Sequence, residues 1–230
     1  MENCVLKILE DYLDWEKLKK QKNYHRLSQK EKDKLRLKYD NDAKYYYKTL
    51  PEEALCADTI ISFWTPYKRL LEVEANWIAY KTPRSLESLI NQIKTNRKND
   101  YTEKIRRVNG NVEEFAKICY TKGNYMLLPE RQMNIQRYSV TEDRIDLTLY
   151  ECFETGVLAK FFENGNNLKD WVYEQNLSSL FINDDICRDN INWFIKENKA
   201  KWISEMGENE IYEYLENAIL LIKKRNDNET

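Results

Sequence analysis

Glycine and proline are nearly missing, with five and four in 230 residues. All-β folds need many turn residues, so this scarcity excludes a sandwich or barrel and points to helices joined by short connections. Histidine occurs once, as His25 in KNYHRLS. One imidazole completes neither a His-rich metal site nor a Ser-His-Asp arrangement with a local partner, and His25 reads as an exposed turn residue. The five cysteines, Cys4, Cys56, Cys119, Cys152 and Cys187, are odd in number, widely spread and without C-x-x-C spacing. They read as reduced thiols, mostly packed in the core, and argue against a disulfide framework and against zinc. No apolar run approaches the roughly 18 residues that span a bilayer. The opening MENCVLKILEDYLDW carries acids inside its apolar pattern, unlike a signal peptide. A Gly-rich phosphate loop is absent too. These absences predict a cytoplasmic protein without metal or cofactor.

What is present is bulk and charge. The hydrophobic share is 42%, and 16 Tyr and 6 Trp accompany 33% charged residues. That is too apolar and aromatic for a disordered chain. The net charge of -2 excludes a uniformly basic surface but leaves room for a local patch. The expected fold is mainly α: a compact helical core domain over 51–230 and an N-terminal basic helical hairpin over 1–50, with at most a short strand near Tyr125–Leu128.

Leu6, Leu9 and Leu13 recur at helical spacing and predict an opening helix from Glu2 to Lys20. Ser28 and Glu31 have capping-box spacing at the start of a second helix. Between Lys17 and Lys38 basic residues greatly outnumber acids. Pro51 predicts a helix through PEEALCADTIISFW, and SLESLINQIKTN after Pro83 predicts another. Residues 96–111, polar and basic, read as a mobile loop; Asn111 then caps VEEFAKICYTK, and Gly123 supplies a left-handed stop. A helix is expected from Thr141 to Gly156.

One stretch differs from the rest. TKGNYMLLPERQMNIQRYSVTEDRIDLTL, Thr121 to Leu149, interleaves Arg131, Asn134, Arg137, Asp143, Arg144 and Asp146 with Ile and Leu. Charged groups are costly to bury unless paired, so the pattern implies either an organised polar site or a structural ion network. With CADTIISFWTPYKRLLEV, this stretch resembles a bacterial family classed as a domain of unknown function. The residues that carry the likeness are Asp58, Thr59, Ile60, Lys68 and Arg69, then Tyr120, Thr121, Gly123, Pro129, Asn134 and Arg137. Asp143, Arg144, Asp146, Leu147, Thr148, Leu149 and Cys152 complete it. Ala57, Asn124, Tyr150 and Phe153 depart from the family pattern. The resemblance implies a shared fold and a shared polar cluster, and no activity.

On the expected helix Asp143 and Asp146 share a face, as a general acid–base pair would. Arg131, Asn134, Arg137 and Arg144 could cradle a phosphate-bearing ligand. The alternative is that the arginines lock loop to helix. Lys30, Lys32 and Lys34 form a basic stripe suited to an acidic partner or nucleic acid, and the run Tyr45-Tyr46-Tyr47 leaves at least one aromatic ring outward. Three readings follow: a regulatory protein that binds another protein, an enzyme or sensor for a phosphate-bearing ligand, and a nucleic-acid binder. The first is preferred. The Lys- and Asn-rich composition suits a low-GC bacterium or its phage, hence a defence or counter-defence role.

Overall fold

Asn3 starts the first helix by accepting a hydrogen bond from the Leu6 N–H at 2.8 Å, and α1 runs from Cys4 to Lys19. The Glu113 carboxylate accepts the N–H groups of Cys4 (2.6 Å) and Val5 (3.1 Å). A carboxylate there meets both the orphan donors and the positive helix pole. The structure, a computed structural model, describes residues 3–39, 56–77, 82–162 and 167–227. The second helix, α2, spans Gln29–Tyr39. The capping box forms as predicted: Ser28 N–H donates to Glu31 at 2.8 Å, and Glu31 N–H to Ser28 Oγ at 3.4 Å.

The order continues with β1 (Ala57–Thr59), α3 (Trp64–Ala75), α4 (Pro83–Lys94), α5 (Asp100–Ile118) and β2 (Tyr125–Leu127). Then come α6 (Arg131–Thr141), α7 (Ile145–Phe153), α8 (Leu168–Glu174) and the long α9 (Glu208–Asp227), with short 3-10 turns between. The fold is therefore mainly α. Helix α5 lies at its centre, packed by α1, α3, α4 and α9. Its Ile105, Val108, Val112 and Phe115 join Val5, Leu9, Leu70, Leu89, Ile211 and Ile222 in one core.

Four sequence expectations are corrected. Residues 96–111 do not form a loop: Asn99 caps at Thr102 N–H (2.8 Å) and α5 runs unbroken through Gly110 and Asn111. A mid-helix glycine costs about 1 kcal/mol, and burial of the Ile105–Phe115 stripe outweighs it. Asn111 caps nothing; its Nδ2 donates to Tyr212 Oη at 2.6 Å.

The stretch expected to be helical up to Trp64 contains β1, which pairs antiparallel with β2 in the register Ala57–Leu127, Asp58–Met126, Thr59–Tyr125. Asn124 pins the chain beyond it, accepting the Ile61 N–H at 3.1 Å and donating to the Ile61 and Cys119 carbonyls at 3.0 and 2.7 Å. These side-chain bonds satisfy the Ile61 backbone groups as a helix would have done. The expected strand is β2 itself.

Gly123 is not a left-handed stop. Helix α5 ends at Ile118, and Gly123 lies in the following 3-10 turn against the last turns of α9. A Cβ there would meet the Ile222 carbonyl oxygen at 2.3 Å and Asn226 at 2.7 Å. Glycine is required for close approach. The contact is fixed by Gly123 N–H donating to Asn226 Oδ1 (2.7 Å) and by Arg225, which donates to the carbonyls of Gly123, Tyr125 (2.6 Å) and Gln175 (3.0 Å).

Candidate functional site

Arg137 lies mid-way along α6 with no solvent exposure. A buried guanidinium costs several kcal/mol unless its donors are met. All five are. Nε donates to Thr148 Oγ1 (2.9 Å), Nη1 to the Asp58 carboxylate (2.5 Å) and the Thr59 carbonyl (2.8 Å), and Nη2 to the carbonyls of Ile60 (3.2 Å) and Asp143. Burial works against the charge, but Asp58 and Asp143 outweigh it and hold the Arg137 pKa above its ordinary value.

The turn that follows is built to serve this residue. Glu142 and Asp143 are both left-handed, at φ 48° and 64°, which costs roughly 1–2 kcal/mol per residue without glycine. The conformation aims the Asp143 carbonyl at Arg137 and the Glu142 carboxylate at the Ser204 N–H, 2.9 Å away. It also delays α7 until Ile145, so the expected helix begins four residues later than Thr141, and Asp143 and Asp146 do not share a face. Their carboxylates go to different arginines.

Arg144 and Asp146 form a second pair with no exposure on either side chain. Arg144 Nε and Nη2 reach the two Asp146 oxygens at 3.1 and 2.6 Å, and Nη1 donates to the Lys201 carbonyl. Asp146 also accepts the N–H groups of Leu147 and Phe194, both at 2.9 Å. The Arg144 guanidinium lies 5.9 Å from the centre of the Tyr214 ring. The Tyr214 hydroxyl is buried without a hydrogen-bond partner among the described residues. Burial, then Asp146, raises its pKa.

Residues from four separate segments thus meet in space: Asp58, Thr59 and Ile60 from β1 and its exit, Arg137 from α6, Asp143 from the turn and Thr148 from α7. Asn134 joins them by donating to the Ala57 carbonyl at 3.0 Å. Arg131 stays exposed, without an ion pair among the described residues. Arg137 and Arg144 have committed their side chains to the protein's own carbonyls and carboxylates, so neither presents a free edge to solvent. Lys30, Lys32 and Lys34 lie apart on α2; Tyr45 and Tyr46 lie outside the described residues. Among the described residues no three His, Cys, Asp or Glu side chains gather as a metal site.

What the network positions is the outer face of α6. The inward stripe of this helix is Met133, Arg137 and Thr141, all buried. Outward point Ile135 and Tyr138, at 63% and 58% exposure. The outward side is mixed: Arg131, Gln132 and Ser139 are exposed beside the two apolar side chains, while an arginine and a threonine share the inward stripe with Met133. Tyr138 and Glu142 form one wall of a cleft of about 230 Å³. Tyr67, Arg69 and Glu72 of α3, Leu86 and Leu89 of α4, and Trp64 and Trp77 complete it. Arg69 is fixed by Nε donating to the Met206 carbonyl (2.7 Å) and Nη1 to Glu72 (3.4 Å). Trp202, 40% exposed, is held nearby, because Lys201 on one side bonds Arg144 and Ser204 on the other bonds Glu142.

Sequence reasoning missed this cleft. Its residues come from segments that are distant in the chain, and the one available signal was an arginine at the centre of an i, i+4 stripe. Comparison with family models, with curated proteins and with solved structures returns no match.

Proposed function

We propose that the protein binds another protein through the outer face of α6 and the adjoining cleft, in the cytoplasm. The observation that carries this reading is the pair of large apolar side chains that α6 turns to solvent, Ile135 and Tyr138, while Arg137 is turned in. A tyrosine and an isoleucine three apart on one outward face, set among Arg131, Gln132 and Ser139, make an exposed apolar pair with a polar surround, as an interface anchor has. Tyr, Trp and Arg dominate the energetics of protein interfaces, and Tyr138, Trp64, Trp77 and Arg69 line the cleft. The cytoplasmic address is supported by free thiols at all five cysteines. Among the described residues no helix is long and apolar enough to cross a membrane.

The test is site-specific photo-crosslinking. A benzophenone side chain at Tyr138, in the native host, should trap one discrete protein, and adding Ile135→Asp should abolish the adduct. Loss of one interface anchor costs about 2 kcal/mol or more, roughly thirtyfold in affinity. An adduct that survives Ile135→Asp, or no adduct at all, would sink the reading. Both positions are exposed, so neither change threatens folding.

A further inference from the structure

We propose that the N-terminal hairpin binds the sugar–phosphate backbone of a nucleic acid without reading its sequence, independently of the α6 face. The charge is segregated: 10 of the chain's 37 Lys and Arg residues, but only 2 of its 39 acids, fall between Lys17 and Lys38. The remainder is strongly acidic and would repel a polyanion. The hairpin alone must therefore make the approach, and α2 is placed to make it. Lys30, Lys34, Arg36 and Lys38 are exposed, and α2 packs chiefly against α1.

Both acids of the segment are turned to other work. Glu31 accepts from Ser28, and Asp33 accepts from Gln29 Nε2 at 2.8 Å. Lys17 pairs with Glu87 and Lys19 with Glu16. Lys20, Lys22, Arg26, Lys30 and Lys34 make no salt bridge among the described residues. At about 100° per residue, Lys30, Lys34 and Lys38 share one face of α2 and Lys32 and Arg36 the opposite one. Lys32 and Arg36 line the groove against α1, so α2 turns one cationic side outward, that of Lys30, Lys34 and Lys38, as suits a helix laid along a phosphate backbone.

The aromatics argue for phosphates over bases. A groove between the end of α1 and α2 is lined by Trp15, Lys19, Tyr24, Lys32 and Arg36. Its rings are already covered: Lys19 Nζ lies 5.4 Å from the Trp15 ring centre and Lys32 Nζ 5.9 Å from that of Tyr24. Trp15 is buried and each ring already holds one ammonium group in place, so the groove is not an open stacking platform for bases. An acidic protein suits the surface less well. Protein interfaces are depleted in lysine and need apolar anchors, and on α2 Leu37 is the one large hydrophobic residue exposed among the described residues.

The experiment is fluorescence anisotropy with two labelled 20-base-pair duplexes of unrelated sequence, at 50 and 200 mM salt. Both should bind with dissociation constants within about twofold of each other. Affinity should fall by up to roughly a thousandfold between the two salt concentrations if about six phosphates are met. K30E/K32E/K34E should weaken binding at least tenfold and flatten the log–log salt slope by about three units, one for each phosphate no longer neutralised. K30Q/K32Q/K34Q should fall between, and circular dichroism should show both variants folded. Failure of the wild type to bind at 50 mM salt overturns the inference. So does a charge-reversed variant that binds as the wild type does, or a tenfold preference for one sequence. Poly-L-glutamate bound more tightly than duplex at equal charge would overturn it in favour of an acidic protein partner. None of these outcomes touches crosslinking from Tyr138.

Discussion

At the scale of single residues, the two buried arginines separate cost from benefit. Asp146 is the sole carboxylate bonded to Arg144 among the described residues, and it also receives two backbone N–H groups. Asp146→Ala should therefore cost about 3–5 kcal/mol, read as a lowered urea midpoint. The double variant Arg144→Met/Asp146→Leu should lose less than the single, because it leaves no charge stranded. Tyr214→Phe should act in the opposite sense. Its hydroxyl is buried and unbonded, so removing it should raise stability by about 1 kcal/mol, and a lowered midpoint would show that the hydroxyl is bonded after all. Alkaline pH should weaken the fold through the same kind of burial. Desolvation raises the pKa of Cys152 from 9.0, and those of Tyr67 and Tyr214 from 10.0. The unfolded chain releases these protons at their ordinary values while the folded chain keeps them. Stability should thus decline from about pH 9 and more steeply above pH 10, by roughly 1.4 kcal/mol per pH unit for each group. A urea midpoint flat between pH 8 and 10.5 would contradict this.

At the scale of elements, the sharpest test is Gly123→Ala. The added carbon would strike a backbone oxygen of α9, which cannot swing aside, so the variant should lose about 1–3 kcal/mol by thermal or urea unfolding. Asn226→Ala should not rescue it, because the clash with Ile222 remains. The elements also show what a sequence can reveal. α1, α4 and the Ser28 start of α2 were legible because their apolar spacing and caps are local. Helix α6 was not, since its buried stripe reads Met-Arg-Thr while Ile135 and Tyr138 are exposed; hydrophobic periodicity cannot find a helix whose apolar residues do not share its buried face. The first part of α5, up to Asn111, was hidden by its polar composition, which long-range packing overrides, whereas the part from Val112 was legible. The polar cluster was visible as a set of residues, but Asp58, its principal carboxylate for Arg137, lies 79 positions away. No spacing rule joins them.

For the whole molecule, stability should be unevenly distributed. α1 contributes Val5, Ile8, Leu9 and Leu13 to the common core, whereas α2 has no fully buried side chain among those described. Hydrogen exchange should therefore release α2 amides orders of magnitude sooner than those of α1 and α5; equal protection would mean that α2 unfolds only with the core. The clamp at the far end has a consequence in time as well as in space. Arg225 satisfies carbonyls of Gly123, Tyr125 and Gln175, and Asn226 receives the Gly123 N–H. On the ribosome, at about 5–20 residues per second, the Gly123 and Tyr125 groups wait roughly 5–20 s for α9 to be made, and the Gln175 carbonyl about half as long. Through that interval α3 and α5 lack a wall of their core, and the half-made chain is a substrate for holding chaperones. Its birth, more than its finished state, is where this protein is most exposed to aggregation and proteolysis.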